Sequence, residues 1–156
     1  MKTKKSTAAE PVTLHNAARQ TFMPVMRELV RAYQAFTRRD ATLIRRHGLT
    51  QAQFDIIATL GNTDGMTFKQ IGERTLITKG TLTGVVDRLE RDGLVRRHGD
   101  ADDARCTQVR LTAKGEHVFE RVFPHHIAAL KLHFDGLSTA ELHEAERMLK
   151  KMRALF

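Results

Sequence analysis

Residues 66–97, MTFKQIGERTLITKGTLTGVVDRLERDGLVRR, form the stretch that decides the fold. Their pattern predicts a short helix, a turn, a second helix and the first strand of a hairpin. Residues 106–111, CTQVRL, predict the return strand, after a charged tip that ends in Arg105. A helix of this kind fits the major groove of DNA, and a basic hairpin beside it can reach the minor groove. The stretch therefore indicates a function as well as a fold.

Capping chemistry marks the predicted helix starts. Three Ser or Thr residues are followed three positions later by Gln or Glu, the spacing of a capping box, in which each side chain accepts a hydrogen bond from the other residue's backbone N–H. The pairs are Thr50 with Gln53, Thr67 with Gln70, and Ser138 with Glu141. Thr78 is the predicted N-cap of the second helix of the stretch, which runs to about Arg91. Its apolar face consists of Leu82, Val85, Val86 and Leu89.

Long amphipathic helices are predicted on both sides of this stretch. The first runs from about residue 23 to residue 47, with Pro24 in its first turn. The second is capped by Thr112 and continues through Pro124, which we expect to kink it. A single chain would leave several large apolar side chains of these two helices and of the last helix, which begins near Ser138, partly exposed: Leu29, Phe36, Phe123, Ile127, Leu149 and Phe156. Because bare apolar patches usually mark interfaces, we predict a homodimer built from both ends of the chain, with two-fold symmetry.

The chain of 156 residues has a formal net charge of +8 and one cysteine, Cys106. A basic balance favours a polyanionic partner, either nucleic acid or an acidic membrane surface, although a merely soluble basic protein has the same charge. A single cysteine excludes an internal disulfide and fits a reducing compartment. No apolar run approaches the roughly 20 residues of a membrane-spanning helix, and no apolar signal core follows the basic N-terminus. We therefore expect a cytoplasmic protein without a membrane partner.

The order and spacing of several motifs resemble the MarR family of winged helix-turn-helix regulators. The matching segments are LTQAQF at 49–54, then Thr67, Ile71 and Gly72, TKGTLTGVVDRLERDGLV at 78–95, DAR at 103–105 and VRLTAKG at 109–115. The resemblance extends over roughly residues 20–150. It implies a mainly α fold with a small β-hairpin wing, in which a winged helix-turn-helix is flanked by N- and C-terminal dimerisation helices.

This resemblance also implies how the chain is organised and what it does. After a polar, flexible tail at residues 1–13, we expect an N-terminal dimerisation helix region at 14–47, a winged helix-turn-helix DNA-binding domain at 48–112 and C-terminal dimerisation helices at 113–156. A regulator of this family binds double-stranded DNA as a homodimer at a pseudo-palindromic site. One recognition helix per subunit enters the major groove, and each wing reaches the flanking minor groove. Family members usually repress transcription, and a small molecule or an oxidation event often releases them.

We expect the DNA contacts to come from the second helix of the motif, from the helix before it and from the wing. Thr81 and Thr83 can reach base edges or phosphates with short hydroxyls, and Lys79 and Arg88 can contact phosphate or guanine. The predicted contact residues are Gln70, Thr78, Lys79, Thr81, Thr83, Arg88, Arg97 and Arg105. The alternative for each is a solvated helix surface.

The wing departs from the family pattern at one position. Where the family usually carries Asp-Arg-Arg, this chain has Asp103, Ala104 and Arg105. Arg105 is the candidate for minor-groove contact, because a narrow groove concentrates negative potential. Arg96 and Arg97 alternate along the first strand, so we expect only one of them to face DNA. Arg97 is the predicted contact residue.

A small-ligand pocket is expected, by analogy with the family, where the dimer helices meet the winged unit. Its polar or aromatic groups would come from Tyr33, His47, Phe54 and Arg110. A basic residue near aromatic rings would suit a phenolic or carboxylate ligand. The alternative for each residue is ordinary core or interface packing, and we expect no cofactor.

A redox- or metal-responsive regulator of the same fold is an alternative. Cys106 beside Arg105 has the setting of an oxidation sensor, but a small packing residue in the wing strand is the simpler interpretation. His125, His126 and His133 lie on one helix, where the spacings of seven and eight residues separate side chains by two turns, too far for one ion. We therefore expect solvated or interface histidines and no metal site.

An enzyme and a basic helical interaction module are the alternatives to a DNA-binding regulator. An enzyme is not expected, because the chain has no Gly-rich phosphate loop, no Ser/His/Asp arrangement on a strand elbow and no metal-ligand spacing. A basic helical module that binds proteins or membranes without binding DNA would leave the wing unexplained.

Overall fold

The computed structural model describes residues 11–75, 77–99 and 107–156. The elements are α1 (Met23–Arg45), α2 (Gln51–Leu60), β1 (Met66–Thr67), α3 (Phe68–Arg74), α4 (Lys79–Arg91), β2 (Val95–Gly99), β3 (Thr107–Leu111), α5 (Ala113–Phe134) and α6 (Thr139–Arg153), preceded by a short 3₁₀ turn at Ala17–Arg19. They confirm the predicted fold class, mainly α with a small β-sheet. The chain divides into two compact units, one up to Arg39 and the other at Asp40–Phe156.

The first unit consists mainly of the N-terminal part of α1. This helix begins at Met23, as predicted, with Pro24 in the first turn, where an N–H group would have no helical partner. Its large apolar side chains are exposed, with Val25 at 50%, Tyr33 at 54% and Phe36 at 45%. Since no described residue up to Arg39 is buried, this unit has no core of its own.

The second unit is built on an apolar core that holds one face of α4. The predicted apolar residues of α4, which are Leu82, Val85, Val86 and Leu89, are all buried. They join inward side chains of the neighbouring helices and the sheet, including Ile44, Ile56, Ile57, Leu60, Ile71, Val95 and Val109. Burial of each such side chain contributes about 1.5–3 kcal/mol. This packing fixes which face of α4 points outward.

All three predicted capping boxes are present, at Thr50 with Gln53, Thr67 with Gln70, and Ser138 with Glu141. Thr112 caps α5 in the predicted way, by accepting a hydrogen bond from the backbone N–H of Gly115. A cap of this kind stabilises a helix by about 1 kcal/mol. The caps therefore set the starts of these four helices, including the short α3.

The small sheet is antiparallel, with strand order β1-β3-β2. β2 and β3 form the predicted hairpin, in which Arg96 stands opposite Arg110. The prediction of only two strands was wrong, because β1 adds a third strand that places Met66 opposite Val109. A strand of two residues is too short to show an alternating pattern in the sequence.

The start of α5 is anchored against the end of α4. A Cβ atom on Gly115 would lie 2.0 Å from the backbone oxygen of Leu94, so the close approach requires glycine. The Oγ1 of Thr112 donates a hydrogen bond to the backbone oxygen of Gly93 at 2.6 Å. These contacts connect the exit of α4 directly to the first turn of α5.

The distal half of α5 and the whole of α6 present exposed apolar side chains. α5 continues through Pro124 without ending, as predicted. Beyond it, Ile127 is 46% exposed, and on α6 Leu149 is 53% exposed. In the described part of the chain, none of the helices combines the length and the apolar character needed to cross a bilayer.

Candidate nucleic-acid interface

α4 presents a polar face to solvent, opposite its buried face. Thr78 is the N-cap residue, as predicted, and its hydroxyl donates a hydrogen bond to Oγ1 of Thr81 at 3.1 Å. The five predicted contact residues of this region, Thr78, Lys79, Thr81, Thr83 and Arg88, are all exposed. The helix therefore gathers hydroxyl groups and cations on a surface that is suited to base edges and phosphates. Their contact with DNA stays a prediction.

Two glycines, Gly80 and Gly84, lie on this side of α4. A Cβ atom on Gly80 or Gly84 would meet no atom within 4 Å. Glycine in a helix interior is about 1 kcal/mol less favourable than alanine. Packing among the described residues therefore does not account for either glycine, whereas a surface that approaches α4 closely would.

The side chain of Gln70 takes part in the cap of α3. Its Oε1 accepts the backbone N–H of Thr67 at 2.8 Å and so completes the cap of α3. This use turns the amide back toward the start of α3, although the residue stays exposed. The predicted backbone contact with DNA is therefore limited to the Nε2 group.

Arg97 is held within the protein. Its guanidinium binds Asp87 and Glu90, two carboxylates of α4, and only 28% of its side chain is exposed. The backbone N–H of Arg97 also donates to Oε1 of Glu90 at 2.9 Å. The hydrogen bond with Asp87 raises the pKa of Arg97 further, so its charge is permanent. Arg97 was predicted to face DNA, and its pairing with Asp87 and Glu90 was not predicted.

The alternation of β2 explains this placement. Arg97 points toward α4, and its guanidinium lies 5.4 Å from the ring centre of Phe68 on α3. Arg96, on the other face of the strand, is exposed and stands opposite Arg110 of β3. Of the two successive arginines, Arg96 is thus the one open to a partner. Asp87 and Glu90 lie three residues apart and therefore on one side of α4. This spacing alone does not predict which residue of the strand they bind.

Comparison with known proteins identifies the family. A sequence model of the MarR family matches residues 47–105. The HTH-type transcriptional regulator MhqR of Bacillus subtilis is 32% identical over 124 residues, which cover 80% of this chain and 86% of that protein. This chain belongs to the MarR family. It is therefore a DNA-binding transcriptional regulator, and α4 occupies the place of the recognition helix in the winged helix-turn-helix.

Two solved structures agree with this assignment. AbsC, a MarR family transcriptional regulator from Streptomyces coelicolor, superposes with a TM-score of 0.78 at 25% identity and covers 93% of this chain and 96% of its own. BpsR of Bordetella bronchiseptica, whose structure concerns the regulation of its DNA binding by 6-hydroxynicotinic acid, gives a TM-score of 0.69 at 28% identity and covers 83% of this chain and 98% of its own.

The tip of the wing lies outside the described residues. Asp103, Ala104, Arg105 and Cys106 belong to this segment. The minor-groove contact of Arg105 and the redox role considered for Cys106 therefore stay predictions from the sequence.

The four residues predicted for a ligand pocket have different settings. Tyr33 belongs to the first unit, where it is exposed. In the second unit His47 and Arg110 are partly buried, and Phe54 belongs to the core. The Nε of Arg110 is buried and has no hydrogen-bond partner among the described residues. A ligand role for these residues of the MarR protein remains a prediction.

A buried polar cluster beside Phe54 was not predicted. The Nε2 of His126 on α5 lies 2.9 Å from Oδ1 of Asp40, near the end of α1, and both side chains are buried. The other Asp40 oxygen accepts a hydrogen bond from Nε2 of Gln51 at 2.7 Å. The rings of His126 and Phe54 lie 4.4 Å apart. The expectation that His126 is a solvated or interface residue was therefore wrong, since a distant acid pairs with it in the core.

Asp55 extends the cluster toward the surface. Its Oδ1 accepts a second hydrogen bond from Nε2 of Gln51 at 3.1 Å. Burial raises the pKa of Asp55 above its ordinary value, and the nearby Asp40 adds to the rise, whereas the bond from Gln51 opposes it. Among residues 11–75, 77–99 and 107–156, no group of three or more His, Cys, Asp or Glu side chains could hold a metal ion.

Proposed function

We propose that this MarR-family protein is a repressor that binds a pseudo-palindromic operator as a homodimer and that a small phenolic or carboxylate ligand releases it from DNA. The observation that carries the DNA-binding part is the exposed polar face of α4, where hydroxyl groups and cations gather while the opposite face is fixed in the core. A helix of this kind, with a hairpin beside it, fits a major groove and the flanking minor groove.

The homodimer is supported by the apolar surface that each unit leaves exposed. In the first unit this surface includes Val25 and Phe36, and in the second it includes Ile127 and Leu149. Large apolar patches on helices favour an interface, and a two-fold axis is the usual symmetry of such a dimer. Two recognition helices related in this way would read half-sites about one helical turn apart, roughly 10 bp.

The ligand class is supported by a relative and by one arginine. BpsR, 28% identical to this chain, has its DNA binding regulated by 6-hydroxynicotinic acid, which combines an aromatic ring, a hydroxyl and a carboxylate. The buried Nε of Arg110 is a charged donor without a hydrogen-bond partner in the described chain, and a carboxylate suits such a donor. His47 and Phe54 remain the other proposed members of the ligand site in the second unit, and the role of Tyr33 stays a prediction from the sequence.

The first experiment compares binding of the purified protein to DNA upstream of its own gene with binding to a random duplex of equal length, at near-physiological salt. A sequence-specific repressor should prefer the upstream fragment by a factor of ~1,000 or more. 6-Hydroxynicotinic acid and other hydroxylated aromatic acids should then weaken that binding, with their uncharged amides as controls. Equal binding to both duplexes, with no sequence enriched from a pool of genomic fragments, would contradict the proposal.

Arg105 gives a sharper test of the wing. Arg105→Ala should weaken operator binding while sedimentation shows the same oligomeric state, because the substitution removes the proposed minor-groove contact and none of the apolar side chains proposed for the dimer. The affinity of the wild type should also fall steeply with salt, since phosphate contacts by Lys and Arg release counterions. A nearly flat salt response would argue against groove binding.

A further inference from the structure

Three elements of the DNA-binding unit meet at Arg97. The residue stands on β2, its guanidinium binds Asp87 and Glu90 on α4, and the ring of Phe68 on α3 lies 5.4 Å from the guanidinium carbon. Glu90 accepts from both the backbone N–H and the side chain of Arg97, so it attaches the strand itself, and not only a long side chain, to α4. The hairpin is thereby tied to the recognition helix at a defined point.

The same contacts neutralise an exposed acid of α4. Asp87 lies next to Arg88 on α4, and its side chain is 46% exposed. A carboxylate at this position would repel DNA phosphates if no cation neutralised it. The guanidinium of Arg97 supplies that charge, and because its fork shape binds two carboxylates at once, a lysine cannot reproduce the arrangement.

The guanidinium of Arg97 is already occupied by contacts within the protein. Both of its terminal nitrogens are used by carboxylates of α4, and 28% of its side chain is exposed. A direct phosphate contact would have to break two ion pairs and leave both acids uncompensated. Arg96, on the opposite face of the strand, is exposed without these ties.

We infer that Arg97 is a positioning residue for DNA binding, a role that rests on the proposed function. It sets the angle between the β2–β3 hairpin and α4, it neutralises Asp87, and it does not itself contact DNA. The carboxylates of Asp87 and Glu90 are then necessary for wing placement, although they are negative charges beside a polyanion.

The test uses the full-length protein and a duplex that the wild type selects from a random-sequence pool. Arg97→Met, the double variant Asp87→Asn with Glu90→Gln, and the triple variant that combines them are compared at a temperature far below unfolding. Affinity is measured by fluorescence anisotropy. Hydroxyl-radical cleavage reports on the minor-groove flanks, and guanine N7 methylation reports on the major groove. Arg96→Met is the matched control on the same strand, and Arg97→Lys keeps the charge without the fork.

Arg97→Met should weaken binding about tenfold, the effect of one significant interaction, and should lose flank protection while major-groove protection stays. The double variant should lose flank protection in the same way, although simple electrostatics predicts tighter binding after two acids are removed. The triple variant should bind DNA no more weakly than Arg97→Met, because all three substitutions disrupt the same pair of ionic contacts. Arg97→Lys should restore part of the affinity, and Arg96→Met should leave the flank protection in place.

Two results would overturn the role of Arg97. One is an equal loss of affinity on Arg97→Met in the presence and in the absence of the two acids, which would indicate direct contact with DNA. The other is unchanged flank protection in Arg97→Met, which would indicate at most a contribution to stability. If the wild type selects no sequence at all, the proposed function itself fails, and that outcome is distinct from both.

Discussion

The Nε2 of His126 lies 2.9 Å from Oδ1 of Asp40, and both side chains are almost completely buried. This pair joins the end of α1 to the middle of α5 within the second unit. Gln51, at the start of α2, binds the other carboxylate oxygen, so three helices meet at one acid. The contact with His126 and the hydrogen bond from Gln51 thus connect the three helices, and Nδ1 of His126 is buried without a hydrogen-bond partner among the described residues.

Asp40→Ala should lower the free energy of unfolding by about 2–3 kcal/mol, since it leaves His126 buried without its partner. Urea denaturation at fixed protein concentration measures the change. Asp135→Ala is the control, because Asp135 forms an exposed ion pair with Lys131 and such pairs contribute less than about 1 kcal/mol. Equal losses of free energy of unfolding in the two variants would show that the buried pair contributes no more to stability than an exposed ion pair.

Asp55→Asn should stabilise the protein slightly at pH 7. The pKa of Asp55 is raised in the folded protein, mainly by burial, so the ionised side chain is less favourable in the folded than in the unfolded chain. A small part of the stability of the wild type is therefore lost as the pH rises from the ordinary Asp pKa through the raised one. Asparagine removes this loss and keeps an oxygen for Gln51.

The gain from Asp55→Asn should be about 0.5 kcal/mol or less, because solvent screens a half-buried group. Thermal unfolding of both proteins across the range from pH 4 to pH 7 measures it, and the difference should shrink toward the acid end. A difference that grows as the pH falls would show that the sign of the pKa shift is wrong.

Gly84→Ala should affect stability and DNA binding in opposite directions. A Cβ atom at this position meets nothing within 4 Å, so alanine should stabilise α4 by about 1 kcal/mol. If DNA approaches this face closely, the same methyl group should weaken operator binding. Unfolding and anisotropy measurements on one preparation test both effects, and tighter or unchanged DNA binding would show that this part of α4 does not meet DNA closely.

Gly115→Ala is the contrasting glycine variant. Its Cβ atom would lie 2.0 Å from the backbone oxygen of Leu94, so the start of α5 would have to move away from the exit of α4. We expect a loss of at least about 2 kcal/mol in the free energy of unfolding, as is usual for overpacking. An unchanged free energy of unfolding, measured by urea denaturation, would show that the start of α5 can move away from Leu94 at little cost.

Local signals in the sequence predicted most helices and strands, but they did not predict contacts between residues far apart in the chain. Thr50, Thr67 and Ser138 predicted three helix starts because a capping box lies within four successive residues. The apolar spacing of α4 predicted its buried face and hence its exposed one. The pairing of Asp40 with His126 depends on how separate helices pack, and no local pattern encodes it.

The arginines of β2 show the same limit within the candidate site. Alternation predicted that only one of Arg96 and Arg97 would face DNA, and in the structure Arg96 is exposed while Arg97 is partly buried against α4. The choice between them required the position of the strand relative to α4, which depends on the core beneath both elements. In the structure Arg97 binds two carboxylates of α4, and Arg96 is the more exposed of the two arginines.

Leu149→Glu should convert the proposed dimer into monomers. Leu149 is 53% exposed on α6 and lies outside the core cluster, so a charge there should leave the fold of the chain intact while it disfavours an apolar interface. Sedimentation equilibrium at micromolar protein should give the mass of one chain, and binding to a two-half-site duplex should weaken because the second half-site no longer assists. His143→Glu, which adds the same charge to an exposed polar position of α6, is the control and should stay dimeric. A dimeric Leu149→Glu variant with normal operator affinity would place the interface elsewhere, and a wild type that sediments as a monomer would remove the two-fold arrangement from the proposed function.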